Sequence, residues 1–130
     1  MIYLDSSALV KLVITEPESP ALTRWLAERA DLAMVSSALH RTEVPRAIWR
    51  ADPSWFPRSL RQMRGVEKVA VTTEILDSAS AIPPNSLRSQ DAIHLASALS
   101  IRQDLTAFIA YDKRLLAAAR DVGLPTASPA

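Results

Sequence analysis

Short apolar runs, each closing on a polar residue able to cap a helix, recur along this chain of 130 residues and confine it to one broad way of folding. Ile2, Tyr3 and Leu4 run straight into Asp5-Ser6-Ser7. Residues 32–35 lead to Ser36-Ser37, residues 66–71 to Thr72-Thr73, and residues 108–111 to Asp112. The segment after each run carries apolar residues at helical rather than alternating spacing. Strands that alternate with helices imply parallel pairing, because parallel neighbours need a crossover between them. The expected fold is α/β, a central, mainly parallel sheet of four to five strands flanked by helices, with residues 1–130 as a single domain.

The intervening segments supply the helices. Ser6 or Ser7 is expected to cap a first helix through residues 8–13, broken by Pro17 and Pro20. A second places Leu22, Trp25 and Leu26 on one side. Residues 42–50 present Val44, Ala47 and Ile48 together, with Pro45 expected in the first turn, where a missing N–H costs little. A short helix at 59–64 should end at Gly65. Thr72 or Thr73 then caps a helix bearing Ile75, Leu76, Ala79 and Ile82. Ser89 is expected to cap the most apolar helix, 90–102, whose covered circumference marks it as central. Asp112 opens the last helix, which ends near Gly123.

Composition removes several chemistries. Cysteine is absent and there are two histidines and two glycines, Gly65 and Gly123. Disulfides, thiol nucleophiles and zinc sites are therefore excluded or disfavoured. A P-loop, a dinucleotide-binding loop or a Gly-x-Ser-x-Gly elbow cannot be built. No run approaches the ~18 consecutive apolar residues of a membrane span. The opening residues form neither a basic leader nor a cleavable apolar segment, so a cytoplasmic, non-membrane location is expected.

Four carboxylates stand out by position. Asp5 follows the first strand and Asp112 the last, and ligands of open α/β sheets bind beyond the carboxyl ends of strands. Asp91 lies in the first turn of the apolar helix, among residues of buried type, and Glu43 near the start of the third helix. Any one of them has an ordinary explanation, since an acid near a helix N-terminus gains about 0.3–1 kcal/mol from the dipole. Together they point elsewhere. Carboxylates converging in a crevice repel unless a cation joins them, and Mg²⁺ takes one or two carboxylates plus waters and substrate phosphate. Such a site suits metal-activated attack of water on a phosphodiester. His94, three residues after Asp91, lies on the same face; a structural, hydrogen-bonding role is the preferred reading for it, and none is assigned to His40.

Charge and aromatics suggest a polyanionic partner without requiring one. Between Arg41 and Arg64, six arginines face only Glu43 and Asp52, making that stretch +4 and the remainder −3 in a chain of net charge +1. A basic stretch attracts phosphates before specific contacts form, although on charge alone a solvated helix face is the preferred reading. Trp25 and Trp49 are expected in the core, Trp49 against Val44 and Ile48. For Trp55 and Phe56, between prolines, a partner-binding groove and the core remain equally open.

The pattern resembles the PIN-domain family and, within it, the VapC-type toxins. Asp5-Ser6-Ser7-Ala8-Leu9-Val10-Lys11-Leu12 is similar to the family's opening motif, and Thr42-Glu43-Val44 to the segment of its second acid. Leu87-Arg88-Ser89-Gln90-Asp91-Ala92-Ile93-His94-Leu95-Ala96 is close to its most recognisable stretch, and Tyr111-Asp112-Lys113-Arg114-Leu115 resembles the fourth acidic position. The match spans essentially the whole chain. It implies a Mg²⁺ or Mn²⁺ site built from Asp5, Glu43, Asp91 and Asp112, endonucleolytic hydrolysis of single-stranded or loop RNA, a homodimer, and a cognate VapB-type antitoxin in a type II toxin–antitoxin pair. It also implies that Ser6 or Ser7 positions water or phosphate. Arg88 is a candidate phosphate or antitoxin contact, or a surface ion-pair partner.

Two other functions start from the same features. A haloacid-dehalogenase-like phosphotransferase also places an Asp after its first strand, but needs a second Asp two residues on, where this chain has Ser7. A non-catalytic RNA- or protein-binding module of the same fold should have lost one or more of the carboxylates, and all four are present.

Overall fold

The computed structural model describes residues 1–130. Strand β1 (Ile2–Leu4) is followed by helices α1 (Ser6–Val13) and α2 (Ser19–Ala27), and β2 (Met34–Ser37) by α3 (His40–Ala51), a 3₁₀ turn (Pro53–Trp55) and α4 (Phe56–Met63). Then come β3 (Glu67–Val69), α5 (Thr73–Ser80), α6 (Ser89–Ser100), a second 3₁₀ turn (Arg102–Asp104), β4 (Ala107–Ile109), α7 (Lys113–Asp121) and β5 (Thr126–Ala127). The five strands form one sheet in the order β3-β2-β1-β4-β5, and every pairing is parallel. The expected α/β architecture is the one observed.

The strand order matters for function. The chain winds outward from β1 through β2 to β3, then returns to the other side of β1 for β4 and β5. Connections therefore diverge between β1 and β4, where Leu4 pairs with Ile109 and the Asp5 N–H donates to the Ile109 carbonyl at 3.1 Å. A crevice at the carboxyl ends of those two strands is where the topology leaves room for a ligand.

Side-chain alternation distributes the core between the two faces. Ile2, Leu4 and Ile109 pack on one face with Leu9 and Val13 of α1, Leu22 of α2, Val44 and Ile48 of α3 and Met63 of α4. Tyr3, Phe108 and Ala110 point to the other, against Leu95 and Ala98 of α6 and Leu115, Leu116 and Ala119 of α7. Helix α5 lies against α6, with Ile75 and Ala79 packed on Ala92 and Ala96. Truncating a fully buried side chain such as Leu9 is expected to cost about 2–5 kcal/mol.

Several local expectations shift. Asp5, rather than Ser6 or Ser7, caps α1, because its Oδ1 accepts the Ala8 N–H at 2.9 Å. Pro20 lies at the start of α2, where no N–H is needed. Helix α3 begins two residues early and takes Pro45 into its interior. The cause is His40, wholly buried, with Nδ1 2.8 Å from the Ser37 carbonyl and Nε2 3.5 Å from that of Met63. Helix α4 likewise starts at Phe56 rather than at 59. Helix α6 has Arg88, not Ser89, at its N-cap and no side-chain cap. Strand β5 has no apolar run to announce it and forms against β4 after Gly123, at φ +86°, turns the chain out of α7. Trp49 is 56 % exposed and meets Phe56 at a centroid distance of 5.3 Å instead of entering the core. Trp25 is half-buried beneath the Arg29 guanidinium.

Candidate active site

Asp5, Glu43, Asp91 and Asp112 all line a single open cleft of about 860 Å³ at the carboxyl ends of β1 and β4. Each arrives by a different route. Asp5 leaves β1 and caps α1, and Asp112 leaves β4 and caps α7, its Oδ1 accepting the Leu115 N–H at 2.9 Å. Asp91 comes from the first turn of α6 and Glu43 from that of α3.

Their environments are unequal. Asp5 is only 6 % exposed, and its carboxyl is pushed above the ordinary range by burial first of all, with the charge of Asp91 adding to the effect. The Ala8 N–H and the Ser7 hydroxyl, 2.9 Å from both carboxylate oxygens, oppose this only in part. Burial acts on Glu43 in the same direction, but there the hydrogen bonds from His94 and the Ser6 hydroxyl outweigh it and hold the carboxyl below its usual value. Asp91 keeps a long contact with the Arg88 Nε at 3.4 Å, and Arg88 is largely exposed.

Behind the acids runs a buried hydrogen-bond relay. The Ser37 N–H donates to the Tyr3 hydroxyl at 2.9 Å, and the Tyr3 oxygen lies 2.7 Å from His94 Nδ1. Burial raises the Tyr3 phenol far above its normal pKa, so the O–H stays a donor. Because the Glu43 carboxylate can only accept, the Nε2 that faces it carries the proton of His94, and Nδ1 takes the Tyr3 O–H. That N–H donates to Glu43 Oε1 at 2.9 Å, and the Ser6 hydroxyl donates to the same oxygen at 2.8 Å. His94 thus orients Glu43.

Whether this donor set suits a metal can be judged from its chemistry. The available ligands are carboxylate and hydroxyl oxygens, which suit hard divalent cations. A buried carboxylate destabilised by a second one is the local electrostatic condition that a cation relieves. No group of three or more His, Asp or Glu side chains stands arranged to hold an ion, however. The four acids the sequence singled out share the wall of one cleft. Mg²⁺ needs only one or two carboxylates when waters and phosphate complete its shell, so the residues present fit it.

Three groups at the cleft or buried behind it lie outside the set expected from sequence. Tyr3 is legible there only as strand core. Arg46 and Arg50 stand out only as part of a charged stretch, yet both line the cleft, and their spacing of three and seven residues from Glu43 was the available signal. Lys11, at one end of the cleft, pairs with Glu18 at 2.8 Å and lies over the Tyr111 ring, contacts that no local pattern announces.

A parallel three-layer domain with an acid-lined cleft where its connections diverge has its crevice where open α/β sheets bind their ligands. The particular family follows from comparison with known proteins. Residues 2–121 match the family model for the PIN domain. From Mycobacterium tuberculosis, Ribonuclease VapC47 is 42 % identical over 132 residues and Ribonuclease VapC35 40 % identical over 131, each covering 99 % of this chain and 97 % of the relative. Among solved structures, Mycobacterium tuberculosis VapC20, described as a Sarcin-Ricin loop cleaving toxin, superposes with a TM-score of 0.74 at 16 % identity over 95 % of this chain and 96 % of the other. A toxin–antitoxin complex from Klebsiella pneumoniae gives 0.70 at 18 % identity, covering 100 % and 98 %. This chain belongs to the PIN-domain family, in its VapC-type branch. That membership retires the phosphotransferase alternative.

Proposed function

We propose that this protein is a metal-dependent endoribonuclease acting as the toxin of a type II toxin–antitoxin pair. The observation that carries the reading is Asp5, buried and raised in pKa beside Asp91, in one cleft with Glu43 and Asp112. The relatives named as ribonucleases extend over nearly the full length of the chain, and the same cleft supplies the oxygen donors that such hydrolysis requires.

Asp5 and Asp91 are the first candidates to hold Mg²⁺ or Mn²⁺, with Asp112 and Glu43 completing the acidic wall. When bound, the ion activates water and neutralises charge on a phosphodiester. The protein's own residues perform the positioning. His94 and Ser6 hold Glu43 ionised, Ser7 steadies the Asp5 carboxylate, and Arg88, exposed at the cleft, is the candidate phosphate contact. The domain spans residues 1–130 and works in the cytoplasm as a homodimer restrained by a VapB-type antitoxin; no helix is long and apolar enough to cross a membrane.

The decisive experiment combines purified protein with RNA in Mg²⁺ and in chelator. Cleavage should require the ion and fall by about 10²-fold or more in Asp91→Asn. RNA left intact in Mg²⁺ would return the protein to a non-catalytic binding role. Expression should arrest growth, and Asp5→Ala should relieve the arrest; growth unaffected by the wild-type protein would remove the toxin assignment and leave the nuclease.

A further inference from the structure

One end of the acidic cleft is closed by a cross-tie that neither the four acids nor the relay through Tyr3 and His94 accounts for. Lys11 stands in the last turn of α1, its side chain only 10 % exposed. The ammonium lies 4.7 Å from the centroid of the Tyr111 ring, 2.8 Å from Glu18 and 3.6 Å from Glu16. The Tyr111 hydroxyl donates to the Pro129 carbonyl at 2.7 Å, where the chain runs on from β5. Four segments therefore meet at this pair: α1, the 14–18 loop, the link from β4 to α7, and the residues after β5.

The surrounding contacts hold the tie in place. Ser19, almost fully buried, donates its hydroxyl to the Lys11 carbonyl at 2.6 Å and accepts the Glu16 N–H at 2.9 Å. The loop that carries the two glutamates is thereby fixed to the turn that carries Lys11. Tyr111 and Val10 pack against the core beneath α1. A cation over an aromatic face is attracted most strongly where water is excluded. Lys11 makes its ion pairs with Glu16 and Glu18 and with none of the four acids, so it lines the cleft without neutralising the carboxylates there.

What the tie joins bears directly on the site. Asp5 caps the helix that carries Lys11, and Tyr111 is the residue before Asp112. Strand β4 ends at Ile109 and α7 begins at Lys113, so residues 110–112 belong to neither. Asp112 has its Oδ1 committed to the Leu115 N–H, and the strand ladder has ended before it. Its adjoining anchor is Tyr111. Resting on the ribonuclease reading, we propose that Lys11 is a positioning residue: through the Tyr111 ring it sets the separation of the Asp5 and Asp112 carboxylates across the cleft. Mg²⁺ tolerates little departure from octahedral geometry, so that separation governs how tightly an ion is held. Lys11 itself touches neither the ion nor the RNA.

The test is calorimetric titration of the purified protein with Mn²⁺, paired with steady-state RNA cleavage over a range of Mg²⁺. Lys11→Met keeps the stem and removes the charge, and Tyr111→Leu removes the ring. Each should weaken Mn²⁺ binding by about 10-fold or more, the usual loss when a partner behind a metal ligand is removed. The Mg²⁺ needed for half-maximal cleavage should rise in proportion. Because both substitutions break one contact, the double variant should bind Mn²⁺ within about twofold of the weaker-binding single variant. Arg29→Met is the matched control. It removes a guanidinium that lies 3.8 Å from the Trp25 ring centroid, pairs with Glu28 and stands outside the cleft, and it should keep the wild-type affinity. A lower Tm with unchanged Mn²⁺ affinity would reduce Lys11 to a structural ion pair, and independent, multiplying losses would separate it from Tyr111; either overturns the proposal. A raised KM for RNA with unchanged Mn²⁺ affinity would make Lys11 a direct phosphate contact and overturn it too. A wild-type protein that binds Mn²⁺ but leaves RNA intact would overturn the ribonuclease reading, a separate outcome.

Discussion

Replacing Tyr3 with Phe removes one oxygen atom from a strand residue that touches no ligand, yet it should weaken both the fold and the site. The ring itself is retained, with its stack on Phe108 at 5.2 Å and its edge contact with His94 at 5.9 Å. Two buried groups lose their partner, the Ser37 N–H and the Nδ1 atom of His94. Leaving a buried polar group unsatisfied costs about 1–3 kcal/mol, so Tyr3→Phe should lose about 2–6 kcal/mol, lowering Tm by roughly 8–24 °C in a domain of this size. Urea unfolding followed by circular dichroism should show the midpoint falling with an unchanged slope, as expected for a loss confined to the native state. The second readout is catalytic. Without the Tyr3 hydroxyl, His94 loses the donor that holds its Nδ1, and Glu43 loses a fixed donor. A partner of this kind behind an active carboxylate is worth about 10–100-fold, and the fall should appear in kcat. A loss below about 0.5 kcal/mol with unchanged kcat would show that the relay from Ser37 to Glu43 does not organise the site.

Other perturbations separate charge from packing. Because the folded state raises the Asp5 pKa, it binds the proton more tightly than the unfolded chain does, so stability falls as pH rises through the raised value. Asp5→Asn, which keeps an acceptor for Ala8, should melt above the wild-type protein in chelator at neutral pH and lose cleavage; a lower Tm in chelator would contradict the electrostatic account. His40 is shifted the opposite way, its pKa lowered chiefly by burial. The unfolded chain then takes up the proton first as pH drops below about 6.5, and stability should decline toward pH 5. His40→Asn, with a donor that does not titrate, should flatten the decline measured by urea unfolding, and parallel curves would refute the assignment. Trp49→Ala should cost about 1 kcal/mol or less, against the ~3–5 kcal/mol of a core tryptophan, because the ring is more than half exposed; a core-sized loss in urea would overturn that placement.

Residues near one another in the chain carried most of what was readable. The short apolar runs Ile2-Tyr3-Leu4 and Phe108-Ile109-Ala110-Tyr111, ending on Asp5 and Asp112, marked two parallel strands and the acids that follow them, since strand and cap are both local properties. The stretch from Leu87 to Ala96 was legible for the same reason: an acid in the first turn of an otherwise apolar helix is visible without a fold. Local signals also misled. Pro45 argued for a helix start that buried His40 overruled, and the neighbours of Trp49 suggested a core that its place on α3 denies it.

The amino-acid sequence by itself determined the alternation of strands and helices, the set of four acids and the positive stretch after Arg41, because each depends on residue type and short-range spacing. Only the tertiary structure decided that β4 returns beside β1, so that Asp5 and Asp112, 107 positions apart in number, share a cleft. It also decided that Tyr3 reaches His94 and that His94 reaches Glu43, contacts spanning 91 and 51 residues. Such pairings follow from which faces must be buried together, and that is settled by the whole core rather than by any segment of it.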